Sequence, residues 1–284
     1  MNDGIEAAEV FQQAATLNRE DPLLHGSLLK FPDYGQLVMT GDLHGHRRNF
    51  EKLKKYCDLE HAGARHVILH EIIHEDVQSL DAHDESHFLL LDAARWKVDY
   101  PDQVHFLQSN HELAQLNRSE ITKSGRVVAL DFEAGVHGAY ENEGERVLEA
   151  ITDFLLSLPL AGRTQNRVFV SHSLPSPRAL PAFDPTVLER VPTDEDFANT
   201  GSAYLLVWGR YQTENELDTL AEMFDADFFI CGHQPQETGY DVRYERMIIL
   251  SSEHNHGTFL PFDLSKPVTI EKLIRNIRPF AAVV

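Results

Sequence analysis

The chain has 284 residues, 42% of them hydrophobic, enough apolar side chains for a sizeable core. Its 25 basic and 45 acidic side chains leave a net charge of −20, which argues against nonspecific binding to nucleic acid or anionic lipid and makes any phosphate-bearing substrate depend on a local cation. Cys57 and Cys231 lie too far apart in sequence to read as a disulfide framework, no apolar run reaches the length of a membrane span, and Met1-Asn2-Asp3-Gly4 lacks the marks of a signal peptide, so the expected location is the cytoplasm.

In chain order, Ile5 to Leu17 has helical spacing and reads as a peripheral helix. Gln36 to Thr40 is an apolar strand that runs into Gly41-Asp42-Leu43-His44-Gly45-His46, and Phe50, Leu53 and Cys57 share one face of a helix over Arg47 to Asp58. A second strand, His66 to Leu69, leads into His70-Glu71-Ile72-Ile73-His74-Glu75, then a polar loop and a helix over Glu85 to Val98. A third strand, Val104 to Leu107, ends at Asn110-His111-Glu112, and Leu113 to Gly144 is mixed and rich in turn residues. An amphipathic helix over Arg146 to Leu158 stops at Pro159, and Arg167 to Val170 is a strand ending at His172. Helices are expected over Ala203 to Trp208 and Glu214 to Phe224, then a fifth strand, Asp227 to Ile230, ending at Gly232-His233. Met247 to Leu250, Gly257 to Phe262 and Val268 to Ile270 read as short strands of a second, antiparallel sheet. No long polar linker interrupts the chain, so a single domain is expected over 1–284, with a peripheral extension at 1–35 and a core at 36–265.

Five strands thus end in Asp42 and His44, His70 and Glu71, Asn110 and His111, His172, and His233. Strand ends of an α/β sheet face one crevice, where residues distant in sequence meet. Carboxylate, imidazole and amide oxygen are ligands for divalent Mn, Fe or Zn, and two such ions can clamp a phosphoryl group and activate a water. On this reading Asp42 and His44 hold one ion, Asn110, His172 and His233 hold the other, Glu71 bridges them, and His111 protonates the leaving oxygen.

With these motifs in order, the chain resembles the calcineurin-like metallophosphoesterases, and within them the serine/threonine phosphoprotein phosphatase branch. Gly41-Asp42-Leu43-His44-Gly45 is similar to the family's GDxHG, Asn110-His111-Glu112 to the end of its GNHE, and His172 and Gly232-His233 to its two later metal-binding histidines. Ser79-Leu80, Tyr100-Pro101, Leu158-Pro159-Leu160, Gly239-Tyr240 and Ile248 to Asn255 follow the same branch in order. The resemblance implies an α/β fold, an αββα sandwich of two mixed β-sheets flanked by helices, with two divalent metal ions at the sheet edges. It also implies phosphoester hydrolysis by a hydroxide held on those ions, with a phosphorylated protein or a small phosphoester as substrate. Neither nucleic acid nor membrane is an expected partner.

One motif departs from the pattern. Where the family has GDxVDRG, this chain has His70 to Asp76: Glu71 stands for the bridging aspartate, His74 for the acid that orients the proton donor, and Glu75 for a phosphate-binding arginine. His70 and His74 are therefore alternative ligands or supporting residues. Gln108 stands for a second arginine, so Arg210 is the candidate phosphate contact, with Arg178 and Arg190 behind it. Two alternatives follow: a catalytically impaired member acting as a binding or regulatory module, or a dinucleoside-polyphosphate hydrolase. His70-Glu71-Ile72-Ile73-His74 also spells HExxH, the zinc-protease motif, which requires a helix. It follows a strand directly and leaves the other strand-end residues unexplained, so a protease is the weakest reading.

Overall fold

The computed structural model describes residues 3–77, 79, 82–119, 121–123 and 125–283; Leu80, of the Ser79-Leu80 pair, lies outside them. In chain order the helices are α1 (Asp3–Arg19), α2 (Arg47–Cys57), α3 (Ser86–Asp99), α4 (Asn110–Leu116), α5 (Val128–Tyr140), α6 (Gly144–Leu156), α7 (Asp194–Phe197), α8 (Ser202–Trp208), α9 (Glu214–Phe224) and α10 (Ile270–Asn276). The strands are β1 (Leu24–His25), β2 (Leu28–Lys30), β3 (Gln36–Thr40), β4 (Arg65–Leu69), β5 (Val104–Phe106), β6 (Thr122–Lys123), β7 (Arg126–Val127), β8 (Ala161–Arg163), β9 (Val168–Ser171), β10 (Phe228–Cys231), β11 (Tyr240–Arg243), β12 (Met247–Leu250), β13 (Thr258–Asp263) and β14 (Arg278–Pro279).

The strands form two mixed sheets and a hairpin. One sheet runs β14-β13-β3-β4-β5 and the other β1-β2-β8-β9-β10-β12-β11, while among the described residues β6 and β7 pair only with each other. β3, β4 and β5 are mutually parallel, as are β9, β10 and β12, so within each set the strand ends point the same way. Because side chains alternate across a strand, Leu37 and Met39 of β3 face Val168, Val170, Ile230 and Ile248 of the other sheet, whereas Val38 faces the helices. α1, α2, α3, α5 and α6 cover the outer face of the five-stranded sheet, and α8 and α9 that of the seven-stranded sheet. The result is the expected αββα sandwich. α1 packs its alanines and Phe11 into this core, with Phe11 and Phe154 ring centroids 5.7 Å apart.

Three expectations need correction. The five strand ends come from two sheets, not one: β3, β4 and β5 on one side, β9 and β10 on the other. The last strands do not make an antiparallel sheet of their own. β12 runs parallel to β10, all four of its residues buried as in a central strand, and β13 runs antiparallel to β3. Val268 to Ile270 is not a strand, because Thr269 caps α10 by accepting from Lys272 N. Within the turn-rich excursion after Leu113 lies the full helix α5, whose Gly135 and Gly138 lower its apparent helix propensity. Gly135 packs against the backbone, since a Cβ there would sit 1.9 Å from Asp84 O.

At the opposite, N-terminal ends of β4 and β5 lies a buried polar chain. His66 Nδ1 meets His105 Nε2 at 3.0 Å, His105 Nδ1 donates to Asp21 Oδ2 at 2.8 Å, and Lys97 Nζ donates to the same oxygen at 3.0 Å. No helix among the described residues is long and apolar enough to cross a membrane.

Candidate metal centre

The glycine of the first motif sets the approach of the two sheets. A Cβ at Gly41 would lie 2.1 Å from Leu250 O, so only glycine lets β3 deliver Asp42 beside the end of β12, where Asp42 bridges to Ser251. The loop that follows is tied to the altered second motif by backbone bonds: Leu43 N and His44 N both donate to Glu71 O (2.8 and 2.9 Å), and Gly45 N donates to Ile72 O (2.7 Å). Ile72 N in turn donates to Glu112 Oε1 at 2.7 Å, which locks α4 to the same loop. Residues 70–77 are therefore irregular and held from both sides. Glu71 and His74 have φ of 48° and 63°, incompatible with the helix that HExxH chemistry needs.

The side chains converge. Asp42 accepts from His233 N through both oxygens, at 2.9 and 3.0 Å, although the two residues belong to different sheets. Glu71 lies between two groups: Oε1 is 3.8 Å from His44 Nε2 and 3.7 Å from His111 Nε2, and Oε2 is 3.4 Å from His172 Nε2. Asn110 Oδ1 lies 2.6 Å from His172 Nε2 and 2.8 Å from His233 Nδ1. Three sets, Asp42 with His70 and His172, His44 with Glu71 and His111, and Glu71 with His172 and His233, each bring their ligand atoms within 4.8 Å of one another.

Hydrogen-bond logic assigns the tautomers. His70 Nε2 donates to Thr40 O (2.9 Å), because a carbonyl can only accept, so neutral His70 accepts at Nδ1 from His172 Nδ1–H (2.9 Å). His172 Nε2 then keeps its lone pair and faces the oxygens of Asn110 and Glu71. The His172 Nε2 lone pair and the Asn110 amide oxygen, 2.6 Å apart with no proton between them, fit a cation, and the donor set suits Mn, Fe or Zn. His70 itself has both nitrogens engaged, so it supports His172. His74 does the same for His111: its Nε2 meets Gln115 Oε1 at 2.9 Å and its Nδ1 meets His111 Nδ1 at 2.9 Å, which leaves His111 Nε2 toward the cleft.

Burial dominates the electrostatics. It pushes the Asp42 carboxyl up to about 7, with Glu253 adding repulsion, and holds Glu71 well above the carboxylate range, with Asp42 adding to it. It also lowers His70 and His74 to about 4 and His233 to about 3, the last helped by Arg210. His44, His111 and His172 are lowered as well, again by burial first. Neutral imidazole is the form that ligates metal.

The model of the calcineurin-like phosphoesterase family matches residues 36–237, well over half of the chain. The chain belongs to that family. The fold superposes on a protein serine/threonine phosphatase from Saccharomyces cerevisiae with a TM-score of 0.67 and 15% identity, covering 98% of this chain and 93% of that one. It also superposes on a cold-active protein-tyrosine phosphatase from a psychrophilic Shewanella species, with a TM-score of 0.56 and 16% identity, over 85% of this chain and 78% of the other.

In this calcineurin-like phosphoesterase, acidic groups surround the centre. The cleft above it has a volume of about 710 Å³ and includes Glu75, Asp76 and Glu253 in its lining. Gln108 does not line it; the side chain is fully buried elsewhere. Of the three candidate arginines, Arg210 reaches the centre, donating from Nε to His233 Nε2 at 2.9 Å. Arg190 is paired with Asp196, and Arg178 does not line the cleft. The residue that sequence reasoning missed is Lys123, in the β6–β7 hairpin, whose ammonium stands beside His44. A lone lysine two residues before a glycine carries no signal that separates it from a solvent-facing one.

Proposed function

We propose that this calcineurin-like phosphoesterase is a metal-dependent phosphomonoesterase acting on a phosphorylated protein or a small phosphoester. The observation that carries this reading is the position of Glu71, whose two oxygens face the His44 group and the His172 group separately. On this reading glutamate takes the bridging place, and its backbone lies in the left-handed region. In the proposed assignment Asp42, His44 and Glu71 hold one ion, and Glu71, Asn110, His172 and His233 hold another. Divalent Mn, Fe or Zn bound there supplies Lewis acidity at the phosphoryl oxygens and an activated water.

The protein's own groups do the rest. His111 handles the proton at Nε2, with its other nitrogen fixed by His74. Arg210 contacts the phosphate, and to do so it must leave His233 Nε2. The same release frees His233 Nδ1 of its proton for ligation, because a neutral imidazole carries only one.

Metal content and turnover of an aryl phosphate with added Mn, Fe or Zn test the proposal, with Asp42→Asn and His111→Asn as controls. Expected are bound metal and turnover in the wild type, loss of metal in Asp42→Asn, and turnover lowered by at least about 100-fold in His111→Asn with metal retained. Wild-type protein with no metal and no turnover overturns it. A catalytically silent binding member is the second reading, favoured by the acid at Glu75 in the cleft wall. Metal and phosphate binding without turnover of any phosphoester establishes that reading instead.

A further inference from the structure

The cleft poses a problem of charge. A dianionic phosphate entering it meets Asp42, Glu75, Asp76 and Glu253, on a chain whose net charge is already −20. Among the described residues two cations line the same cleft, Arg210 and Lys123. Arg210 stands on the His233 side, against the seven-stranded sheet. Lys123 stands on the other side, its Nζ 3.3 and 3.4 Å from the two ring nitrogens of His44 and donating to His74 O at 3.0 Å.

The His74 carbonyl takes one of the three ammonium protons. His44 Nδ1–H is committed to Ile73 O at 2.9 Å, so of that ring only Nε2 has a lone pair, and that nitrogen faces Glu71. Even if that lone pair accepts a second proton, Lys123 keeps at least one donor for the cleft among the described residues. Its approach is braced from behind, since Arg126, across the hairpin, pairs with Asp131 at 2.8 Å and donates to Ala82 O at 2.6 Å. The hairpin is not part of either main sheet, so nothing in the sandwich itself requires a lysine at this point.

We infer that Lys123 is a substrate-binding residue that grips a non-bridging phosphate oxygen, opposite Arg210, in the place left by the acid at Glu75. The assignment rests on the phosphoester-hydrolase reading of the site. It makes phosphate recognition two-sided, with one cation from the β6–β7 hairpin and one from the segment after α8. It also favours a terminal phosphate, as in a monoester, whose three non-bridging oxygens serve both cations and still leave one for the metal centre, where an internal diester has only two.

The alternative role for Lys123 is that of a counter-charge to the buried acids, and metal and phosphate binding separate the two. Inorganic phosphate is titrated calorimetrically into metal-loaded wild type, Lys123→Gln and Lys123→Arg, and metal affinity is measured separately on each. If Lys123 grips phosphate, Lys123→Gln weakens phosphate binding by about tenfold or more with metal affinity kept, and Lys123→Arg restores most of it. For an aryl phosphate the loss falls on KM more than on kcat. If phosphate binds wild type and Lys123→Gln equally, the assignment is overturned and the phosphoesterase reading stands. Wild type that binds metal but neither binds phosphate nor turns over any phosphoester overturns both.

Discussion

Both histidine pairs at the centre share one device: on the proposed assignment, an imidazole whose two nitrogens are both engaged fixes the tautomer of a ligand or proton carrier. His70, anchored on Thr40 O, does this for His172, and His74, anchored on Gln115, does it for His111. Supporting partners of this kind are worth roughly 10- to 100-fold in metal affinity. His70→Phe should therefore lower Mn or Zn affinity by that factor, measured by competition with a chromophoric chelator, with little change in fold by circular dichroism. The second pair predicts a change in pH dependence. A neutral imidazole that accepts from His111 stabilises its protonated form less than a carboxylate does. His74→Asp should raise the apparent pKa of His111 by roughly 1 unit or more, and the basic limb of the kcat profile should move up with it. An unmoved limb would show that His111 is not the group being titrated.

At the scale of elements, the centre depends on how closely strand ends and loops approach. Gly232, just after β10, is the case that touches the site directly: a Cβ there would lie 2.2 Å from Asp42 Oδ1 and 2.6 Å from His70 Cε1. Gly232→Ala should lower stability by about 2 kcal/mol in urea unfolding and abolish stoichiometric metal binding, since Asp42 must move. Much of this architecture was legible beforehand. β3, α9 and β12 have the expected limits, and all seven residues assigned as ligands or proton carrier meet at one place, because polar residues at strand ends after apolar runs have few other reasons to recur. What was not legible came from tertiary pairing. Nothing local in Met247 to Leu250 says that it lies beside β10, and the glycines of α5 hide a helix that α6 supports. Lys123 escaped notice for the same reason, since its meaning comes from His44 and His74, far away in sequence.

The whole molecule has two pH- and salt-dependent properties. In the buried chain at the far end of the sandwich, His66 is lowered to about 4 from the usual 6.5, by burial first and His105 next. Its folded pKa lies below its unfolded one, so the unfolded chain binds the proton first. The stability it contributes is present above about 6.5 and is lost as pH falls toward 4. Between about pH 7.5 and about pH 5 this group alone should remove about 2 kcal/mol, read from urea midpoints, and His66→Phe should flatten that dependence. Asp21, held below its ordinary range against the penalty of its own burial by His105 and Lys97, acts in the same direction at lower pH, where its stabilisation is lost as the carboxylate is protonated. The net charge of −20 has a separate effect: for an anionic substrate kcat/KM should rise with moderate salt, as long-range repulsion is screened before the contacts of the cleft are.

Asp42 accepts from His233 N across the junction of the two sheets, and Glu71, from the end of β4, faces His172, from the end of β9. An ion at this junction would therefore fasten the halves of the sandwich together as well as serve the proposed chemistry. Stripping it with a chelator should let the open edge breathe, so that amide exchange quickens first at His233, Leu43 and His44. The strands that carry them should stay protected, and re-adding metal should close the edge again. The molecule would then signal through its own rigidity whether it is armed.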